Sequence, residues 1–550
     1  MNKVLKNIIF IVVFLLPYLA MSQLAPDTYW IQFKDKNETT YSLTNPEVYL
    51  SDRAIERRNR YSIEIDSLDL PVNQWYLDSI INKGGQVLHS SKWLNGVAIY
   101  TIDAAVLQSI YDLSFVDQTV SEGPVFSMNF MPFNRKSNLA EINTDVYDYG
   151  SSVNQIDLHQ GQILHNGGFR GEGMQIAVID AGFENLDLVP AFDSLFINNQ
   201  IIGTWDFVNN DTNVYDDHYH GKAVLSTIAA NLPGEMVGTA PKARFLLLRT
   251  ENANSEYKIE EINWIAAAEF SDSTGVDIIT TSLGYNDYTS PSDSYSWIDL
   301  DGQTAPITRA TDIAASKGIF MVTSAGNEGS SAWEKITPPA DANLALTVGA
   351  CNSSGDYVSF SSKGNTADGR IKPDVSAQGQ SATVITSTTP ATGNGTSFST
   401  PIIAGLVACL WQVDRSKTNI EILDLIKMHS HQFSSPDSLM GYGIPNFANA
   451  YADLSQDIKA VEDGKDVLIK VFPTLFNNLI NIDFYADNSK EIFVEMHDIN
   501  GRKVYQDDFM VDSNRVNKIQ LTGVSDMASG IYFLRLVSGD YISVQKLIKP

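Results

Sequence analysis

Four polar residues stand where the sequence pattern would place the catalytic groups of an acyl-transfer enzyme. The apolar run MQIAVID ends on Asp180, and His220 lies at the head of the run HGKAVLSTIAA. The apolar run in GIFMVTSAGN leads to Asn327, and Ser397 opens the helix predicted from GTSFSTPIIAGLVACL. A serine hydroxyl needs a nearby base, histidine titrates near neutrality, and a buried carboxylate fixes the histidine tautomer. An asparagine amide can donate to the oxyanion, so these residue types predict acyl transfer on Ser397.

The stretch around Ser397 also predicts how the nucleophile is held. Gly395 permits a tight turn, and we expect Pro401 in the first helical turn, where its missing N–H costs no hydrogen bond. We expect the neighbouring Ser and Thr hydroxyls to cap the helix, and the apolar run from Ile402 to anchor it in the core. Helix capping without any catalysis is the alternative interpretation of this stretch.

Apolar runs that alternate with helical segments between residues 146 and 455 predict the elements that position these side chains. Runs such as RFLLLRT, VDIITTSL and LALTVGA are typical of parallel strands buried on both faces. We therefore predict a three-layer α/β domain with a parallel sheet. The four residues would meet at the carboxyl ends of its strands, where such sheets bind ligands.

Two smaller domains are predicted on either side. Residues 23–145 combine strand-like runs such as YWIQF and WLNGVAIYTI with helical spacing in NQWYLDSIINKGG, which predicts a small α+β unit followed by a processing linker. Residues 463–550 contain short strand-like runs bounded by Gly, Asn and Asp, which predicts a small all-β sandwich.

The N-terminus predicts export. Lys3 and Lys6 precede a short apolar core, and Ala20-Met21-Ser22 places small residues where a signal peptidase reads them. We expect residues 1–22 to be a Sec signal peptide cut before Gln23, and we expect no transmembrane anchor later in the chain.

Composition excludes several function classes. The 550 residues carry a formal net charge of −27, which argues against binding to nucleic acid or to an anionic membrane. Cys351 and Cys409 are the only cysteines, so there is no disulfide framework and no zinc spacing, and whether the two pair stays open. His429 and His431 are too isolated to predict a metal site.

The ordered motifs resemble those of the subtilisin-like serine peptidases, the subtilases. The matching segments are VIDAGF, HGKAVLSTIAA, GTAP, TSLG, TSAGNEG, RIKPDVSA and GTSFSTP, in the order Asp, His, Ser that this family uses. The resemblance implies that Asp180 orients His220, that His220 is the general base and acid, that Ser397 attacks, and that Asn327 stabilises the oxyanion. It also implies that Ser282-Leu283-Gly284 binds substrate backbone as an added strand.

Departures from the family pattern concern residues beside the triad. Ala181 replaces the usual Ser or Thr, and Lys222-Ala223 replaces the usual Thr-His, so we expect a tuned rate and not inactivity. The loop NLPGEM after the catalytic helix has few carboxylates at ligand spacing, which gives little support for a structural calcium. We expect catalysis to require no cofactor and no metal.

The flanking domains resemble parts of exported proteases. The N-terminal α+β unit resembles the inhibitory propeptides of subtilases, and the alternative is a permanent accessory domain. The C-terminal segments VFPTLFNN, DINGRKV and MASGIYFLRL resemble the type A sorting domain of the type IX secretion system of Bacteroidetes, and the alternative is an adhesion module.

The sequence thus predicts a secreted or cell-surface serine endopeptidase made as a preproprotein. Its expected partners are polypeptide substrates, its own propeptide as inhibitor, and the secretion machinery. The rival hypotheses are a catalytically impaired subtilase fold that binds without cleaving, and a peptide ligase on the same scaffold.

Overall fold

The computed structural model describes residues 23–117, 146–462, 465–472, 476, 478–513 and 515–549. The predicted signal peptide and most of the predicted processing linker lie outside these ranges. The described residues form two compact units, one ending at Phe447 and one beginning at Ala448. Within the first unit we call residues 23–117 the N-terminal region and residues 146–447 the α/β region.

The N-terminal region is a small α+β fold, as predicted. Its sheet is antiparallel with the strand order β1-β2-β4-β3. The side chains of Asn73 and Asp103 accept hydrogen bonds from the first turns of α2 and α3, which fixes where these helices begin. The elements are β1 (Gln23–Ala25), β2 (Thr28–Gln32), α1 (Asp52–Tyr61), α2 (Gln74–Asn82), β3 (Gln86–Ser91), β4 (Gly96–Tyr100) and α3 (Ala104–Tyr111).

The α/β region alternates strands and helices along its whole length. Its helices are α4 (Val153–Asp157), α5 (Gln162–Asn166), α6 (Asp193–Ile197), α7 (His220–Ala229), α8 (Ile259–Thr274), α9 (Pro306–Ser316), α10 (Thr396–Val413) and α11 (Asn419–Met428). Its strands are β5 (Gln175–Asp180), β6 (Ile201–Asp206), β7 (Asn231–Leu232), β8 (Met236–Val237), β9 (Arg244–Arg249), β10 (Ile278–Thr281), β11 (Phe320–Ser324), β12 (Ala345–Cys351), β13 (Val375–Gln378), β14 (Ala382–Val384) and β15 (Ala391–Gly393).

Seven of these strands form one parallel sheet in the order β13-β12-β11-β10-β5-β9-β6. The chain enters the sheet at β5 and later adds strands on both sides of it. The carboxyl ends of β5, β9, β10 and β11 therefore meet at one edge, around the point where the strand order reverses.

Helices cover this sheet and complete a layered architecture. Ala177 and Ile179 of β5, together with Ile279 and Met321 of the neighbouring strands, share one apolar cluster with residues of α8 and α9. The other long helices, α7 and α10, pack against one another. The prediction of an α/β domain with a parallel sheet is confirmed.

The second unit contains the predicted all-β domain. Its seven strands form a three-stranded sheet, β16-β17-β20, and a four-stranded sheet, β19-β18-β21-β22, around one apolar core. Strand β20 was not predicted from the sequence. The elements are α12 (Phe447–Glu462), β16 (Val467–Phe472), β17 (Ile480–Ala486), β18 (Lys490–Asp498), β19 (Lys503–Val511), β20 (Arg515–Leu521), β21 (Gly530–Ser538) and β22 (Tyr541–Lys549).

One helix of the described residues has the length and apolarity of a membrane span. It is α10, and 89% of its apolar window is buried inside the protein.

Candidate active site

The carboxylate and the imidazole singled out in the sequence are hydrogen-bonded to each other. Asp180 is the last residue of β5 and is fully buried. Its Oδ1 lies 2.7 Å from Nδ1 of His220, the first residue of α7, and also accepts the backbone N–H of Ala181. Gly221 permits this approach, because a Cβ there would lie 2.5 Å from the carbonyl oxygen of Gly182.

The partner carboxylate changes the basicity of His220. Burial alone would lower the pKa of His220, but the charge of Asp180 and its hydrogen bond outweigh burial and raise it. Because Nδ1 faces Asp180, the free ring nitrogen is Nε2, which is the atom a general base would use.

The surroundings of Ala181 and Lys222, two residues that depart from the family pattern, differ in hydrogen bonding and burial. Oδ2 of Asp180 is buried and has no hydrogen-bond partner among the described residues, and Ala181 has no hydroxyl to supply one. Lys222 is only 2% exposed, and burial lowers the pKa of its amine although Glu184 opposes that shift.

Ser397 is the second residue of α10 and is 7% exposed. The aromatic ring of the next residue, Phe398, has its centroid 6.2 Å from that of His220. A Cβ placed on Gly395 would lie 3.7 Å from both Ser397 Oγ and Asn327 Oδ1, so the predicted nucleophile and oxyanion donor flank the same glycine. The N-terminus of α10 also directs its positive dipole toward this point.

The position of Pro401 in the helix was wrongly predicted. Pro401 is the sixth residue of α10 and not a first-turn residue, so its missing N–H removes the helical partner of the Ser397 carbonyl. The hydroxyl of Ser282 replaces that partner, with Oγ donating to the carbonyl oxygen of Ser397 at 2.9 Å.

The neighbouring hydroxyls were also assigned to the wrong role. The residue before α10 is Gly395, which has no side chain, so no N-cap hydroxyl accepts a hydrogen bond from the first turn of the helix. The hydroxyls of Ser399 and Thr400 donate to the carbonyl of Thr396, at 3.0 and 2.8 Å. These bonds connect the first turns of the helix next to Ser397.

Asn327 is fixed by the residue before Ser397. Its Oδ1 accepts the backbone N–H of Thr396 at 2.9 Å and the hydroxyl of Thr396 at 3.1 Å. Since the oxygen is occupied, the group that the side chain can offer to a ligand is its N–H₂, a double donor.

The predicted substrate segment follows β10 at the same edge of the sheet. The carbonyl of Leu283 accepts the hydroxyl of Ser324 at 3.2 Å, and a Cβ on Gly284 would lie 2.1 Å from Thr337 Oγ1. The segment is thus held between the ends of β10 and β11, with Ser282 bonded to the helix that carries Ser397.

Glu251 belongs to the same edge and was missed in the sequence. Its Oε1 accepts the hydroxyl of Tyr285 at 2.7 Å, while the backbone N–H of Thr250 donates to the carbonyl of Asp180. Burial raises the pKa of Glu251 to about 8. The run RFLLLRTE carried the same signal as MQIAVID, a carboxylate just past a buried strand.

Glu251, Glu256 and Glu260 are the only group of three or more metal-type ligands found in the described ranges. One carboxylate oxygen of each lies within 4.8 Å of the others. His429 and His431 are not part of this group, and Nδ1 of His431 accepts the backbone N–H of Ile444 at 2.7 Å. His218, two residues before His220, is half-buried, and its Nδ1 accepts the backbone N–H of His220 at 3.3 Å.

Three segments of the chain match known families. Residues 171–443 match the subtilase family, residues 28–139 match the peptidase S8 propeptide domain of Bacteroidota, and residues 470–550 match a secretion system C-terminal sorting domain.

Curated proteins with similar sequences are peptidases. Serine protease AprX of Bacillus subtilis is 30% identical over 53% of this chain and 69% of its own. Subtilisin BL of Lederbergia lenta is 30% identical over 52% of this chain and 94% of its own. Subtilisin E of Bacillus subtilis is 29% identical over 64% of this chain and 79% of its own.

A solved structure that matches this chain is that of MycP1 with its N-terminal propeptide removed. It is 22% identical, covers 54% of this chain and 96% of that chain, and has a TM-score of 0.44.

Proposed function

The chain belongs to the subtilase family and is a subtilisin-like serine endopeptidase, and from this premise we propose that it cleaves peptide bonds through an acyl-enzyme on Ser397. The observation that supports this most strongly is the 2.7 Å contact between His220 Nδ1 and Asp180 Oδ1, beside the helix that begins with Thr396 and Ser397.

In the proposed first step Ser397 Oγ attacks the scissile carbonyl carbon while its proton passes to Nε2 of His220. The Asp180 carboxylate stabilises the imidazolium, and Asn327 donates an N–H to the carbonyl oxygen as it becomes negative. His220 then returns the proton to the leaving amine, the C–N bond breaks, and an ester on Ser397 remains.

The second step reverses these roles with water. His220 takes a proton from water, the hydroxide attacks the ester carbon, and the proton is given back to Ser397 as the carboxylic acid leaves. The groups named here suffice for each transfer, so we propose that the chemistry needs no cofactor and no metal. Polypeptide backbone would bind along Ser282-Leu283-Gly284 as an added strand.

Export and maturation complete the proposal. The C-terminal sorting domain directs the protein to secretion and the cell surface, and the N-terminal region is a subtilase propeptide domain. We propose in addition that residues 1–22 are a Sec signal peptide cut before Gln23, and that the N-terminal region blocks the cleft until it is removed, together with the segment up to residue 145.

Hydrolysis by the secreted enzyme tests the proposal. Ser397→Ala should abolish cleavage of an unstructured protein substrate, whereas Ser399→Ala, which removes a hydroxyl bonded only to the Thr396 carbonyl, should keep it within about threefold. Equal loss in both variants would overturn the assignment of Ser397. An added amine nucleophile should leave the hydrolysed acid as the main product, and a dominant amide product would instead identify a ligase.

A further inference from the structure

Helix α1 of the N-terminal region attaches to the α/β region through buried arginines. The buried residues of this helix are Ala54, Arg57 and Arg58, with the two arginines 2% and 1% exposed. A guanidinium is rarely buried unless its N–H donors have hydrogen-bond acceptors. Because these hydrogen bonds have fixed directions, the contact specifies the orientation of α1 more strictly than an apolar helix face would.

The side chain of Arg57 makes four hydrogen bonds to three residues that precede β10 and β11, two of them to Asp272. Its Nε donates to the carbonyl of Lys317 at 3.0 Å, and one terminal nitrogen donates to the carbonyl of Val276 at 2.6 Å. The other donates to Asp272 Oδ1 at 2.5 Å. The planar fork of a single side chain therefore bridges three elements of the α/β region.

Asp272, near the end of α8, is fully buried and receives three cations from the N-terminal region. Besides Arg57, both Arg58 and Lys92 reach its carboxylate at 2.9 Å. Burial alone would raise the pKa of Asp272, but Lys92 and the two arginines together lower it well below its ordinary value. The carboxylate is thus charged, and every cation that it meets in a salt bridge comes from the N-terminal region.

Salt bridges with the charges reversed join the same two regions. Lys317 of the α/β region is 2% exposed, and its Nζ lies 2.9 Å from Asp66 and 3.0 Å from Asp69. Asp69 also accepts from Arg58, so the two regions exchange charges within one buried network.

The surface is also shaped to the helix. Gly275 adopts φ +89°, and a Cβ there would lie 2.7 Å from the backbone nitrogen of Ala54. The ring of Tyr61 stacks on Trp411 with 5.9 Å between centroids, and its hydroxyl donates to the carbonyl of Arg415. Close backbone approach and ring stacking require α1 in one orientation.

This contact lies at the edge of the sheet opposite to the candidate active site. Val276 and Lys317 precede β10 and β11, whereas Asp180 ends β5. Along α10, Ser397 lies in the first turn and Trp411 in the last, a separation of about 21 Å at about 1.5 Å per residue. A helix bound at Trp411 therefore does not occupy the site around Ser397.

We propose that this edge of the sheet, formed by Asp272, Gly275-Val276, Lys317 and Trp411, is an exosite for the arginine-bearing helix α1. It retains the N-terminal region on the enzyme after the covalent link between the two regions has been cut. Release of the inhibitor then requires loss of the α1 contact in addition to cleavage of the link. This regulatory meaning rests on the proposed inhibitory role, whereas the contact itself can be tested in an inactive chain.

The test uses the full Ser397→Ala chain with a recognition sequence for a sequence-specific protease inserted between residues 118 and 145. After the cut, a fluorescently labelled copy of the N-terminal fragment is added in excess. Its replacement of the bound fragment, resolved on a size-exclusion column, measures the dissociation rate. The parent fragment should co-elute with the enzyme. Arg57→Gln and Asp272→Asn should each accelerate dissociation by about 100-fold. The first removes the guanidinium that joins Lys317, Val276 and Asp272, and the second leaves Arg57 and Lys92 without their carboxylate partner.

Arg60→Gln is the matched control, because Arg60 lies on the same helix and is exposed. It should change the dissociation rate by less than about threefold. Equal rates for Arg57→Gln, Asp272→Asn and Arg60→Gln would overturn the exosite. Because the chain is inactive, this failure is distinct from a failure of Ser397 to act as nucleophile.

A milder variant covers the case in which Arg57→Gln does not fold. Arg57→Lys keeps the charge but cannot make all four bonds, and hydrogen exchange of the uncut chain reports opening of α1 directly. The α1 amides should exchange at least about tenfold faster in Arg57→Lys than in Arg60→Lys. Equal exchange in these two variants would also overturn the proposal.

Discussion

At the scale of single residues, the proposed mechanism implies that the pair Asp180–His220 sets the pH at which the enzyme works. The general base must be neutral, and the carboxylate raises the pKa of His220 above its ordinary value of about 6.5. Activity should therefore be absent at low pH and appear as pH rises through the raised pKa.

This gives a prediction for Asp180→Asn in the processed enzyme. Removing the charge removes the cause of the raised pKa, so the acid limb of kcat/KM should move to lower pH. The maximal rate should fall by about 10⁴-fold, because the tautomer is no longer fixed. A pH–rate profile with a peptide substrate measures both effects, and an unmoved acid limb would show that Asp180 does not control His220.

Asn327 offers a second prediction, because its two functions can be separated. Asn327→Asp keeps an oxygen that can accept from Thr396 but removes the N–H donors, and Asn327→Ala removes both. Both variants should lower kcat by about 10²- to 10³-fold with little change in KM, since the donor acts on the transition state. Wild-type kcat in Asn327→Asp would assign this residue to positioning Thr396 alone.

At the scale of elements, α10 depends on a bond from outside the helix. Pro401 has no N–H for the carbonyl of Ser397, and Ser282 supplies the donor. The helix can therefore carry a proline in its interior and still hold its second residue in place.

The corresponding prediction concerns a double-mutant cycle. It is measured in the Ser397→Ala chain, because this substitution keeps the backbone carbonyl of residue 397. Ser282→Ala should lower the free energy of unfolding by about 1–3 kcal/mol, because it leaves a buried carbonyl without a donor. The loss should be smaller when Pro401→Ala restores the helical N–H. Denaturant unfolding measures the cycle, and strictly additive effects would mean that the Ser282 bond does not replace the helical one.

The elements differ in how far their sequences reveal them. β5, β9 and β12 are continuous apolar runs and were predicted, whereas α1 was missed because the residues that it buries include Arg57 and Arg58. Apolar periodicity cannot reveal a helix that is held by charge pairing. β20 was missed for a related reason, since RVNKIQL alternates weakly between polar and apolar residues.

The residues of the candidate site also differ in how far the sequence reveals them. Asp180, His220, Asn327 and Ser397 follow from residue type and the ends of elements. The bond from Ser282 to Ser397 and the packing of Glu251 against Tyr285 join residues far apart in the chain. Such contacts depend on the register of neighbouring strands, which no local pattern specifies.

At the scale of the whole molecule, the sorting domain has its own core. The buried residues of that core, among them Phe484, Val494 and Leu534, all come from strands β16 to β22 and the turns between them. Because these residues cover one another, removing the whole domain leaves none of them exposed on the remaining chain.

We predict that a chain ending at residue 462 keeps its peptidase activity but is no longer found outside the cell. In a bacterium that has the matching secretion system, activity should move from the medium and cell surface to the cell envelope. Cell fractionation with a peptide substrate measures this. Undiminished activity in the medium would mean that residues 463–550 are not the export signal.

Covalent trapping tests the proposal that Ser397 is the nucleophile activated by His220. The processed enzyme is treated with a fluorophosphonate, and the adduct is mapped by peptide mass spectrometry. We predict a single adduct on Ser397 that is absent in Ser397→Ala and forms far more slowly in His220→Ala. An adduct on another residue, or an unmodified Ser397 in enzyme that the reagent has inactivated, would contradict it.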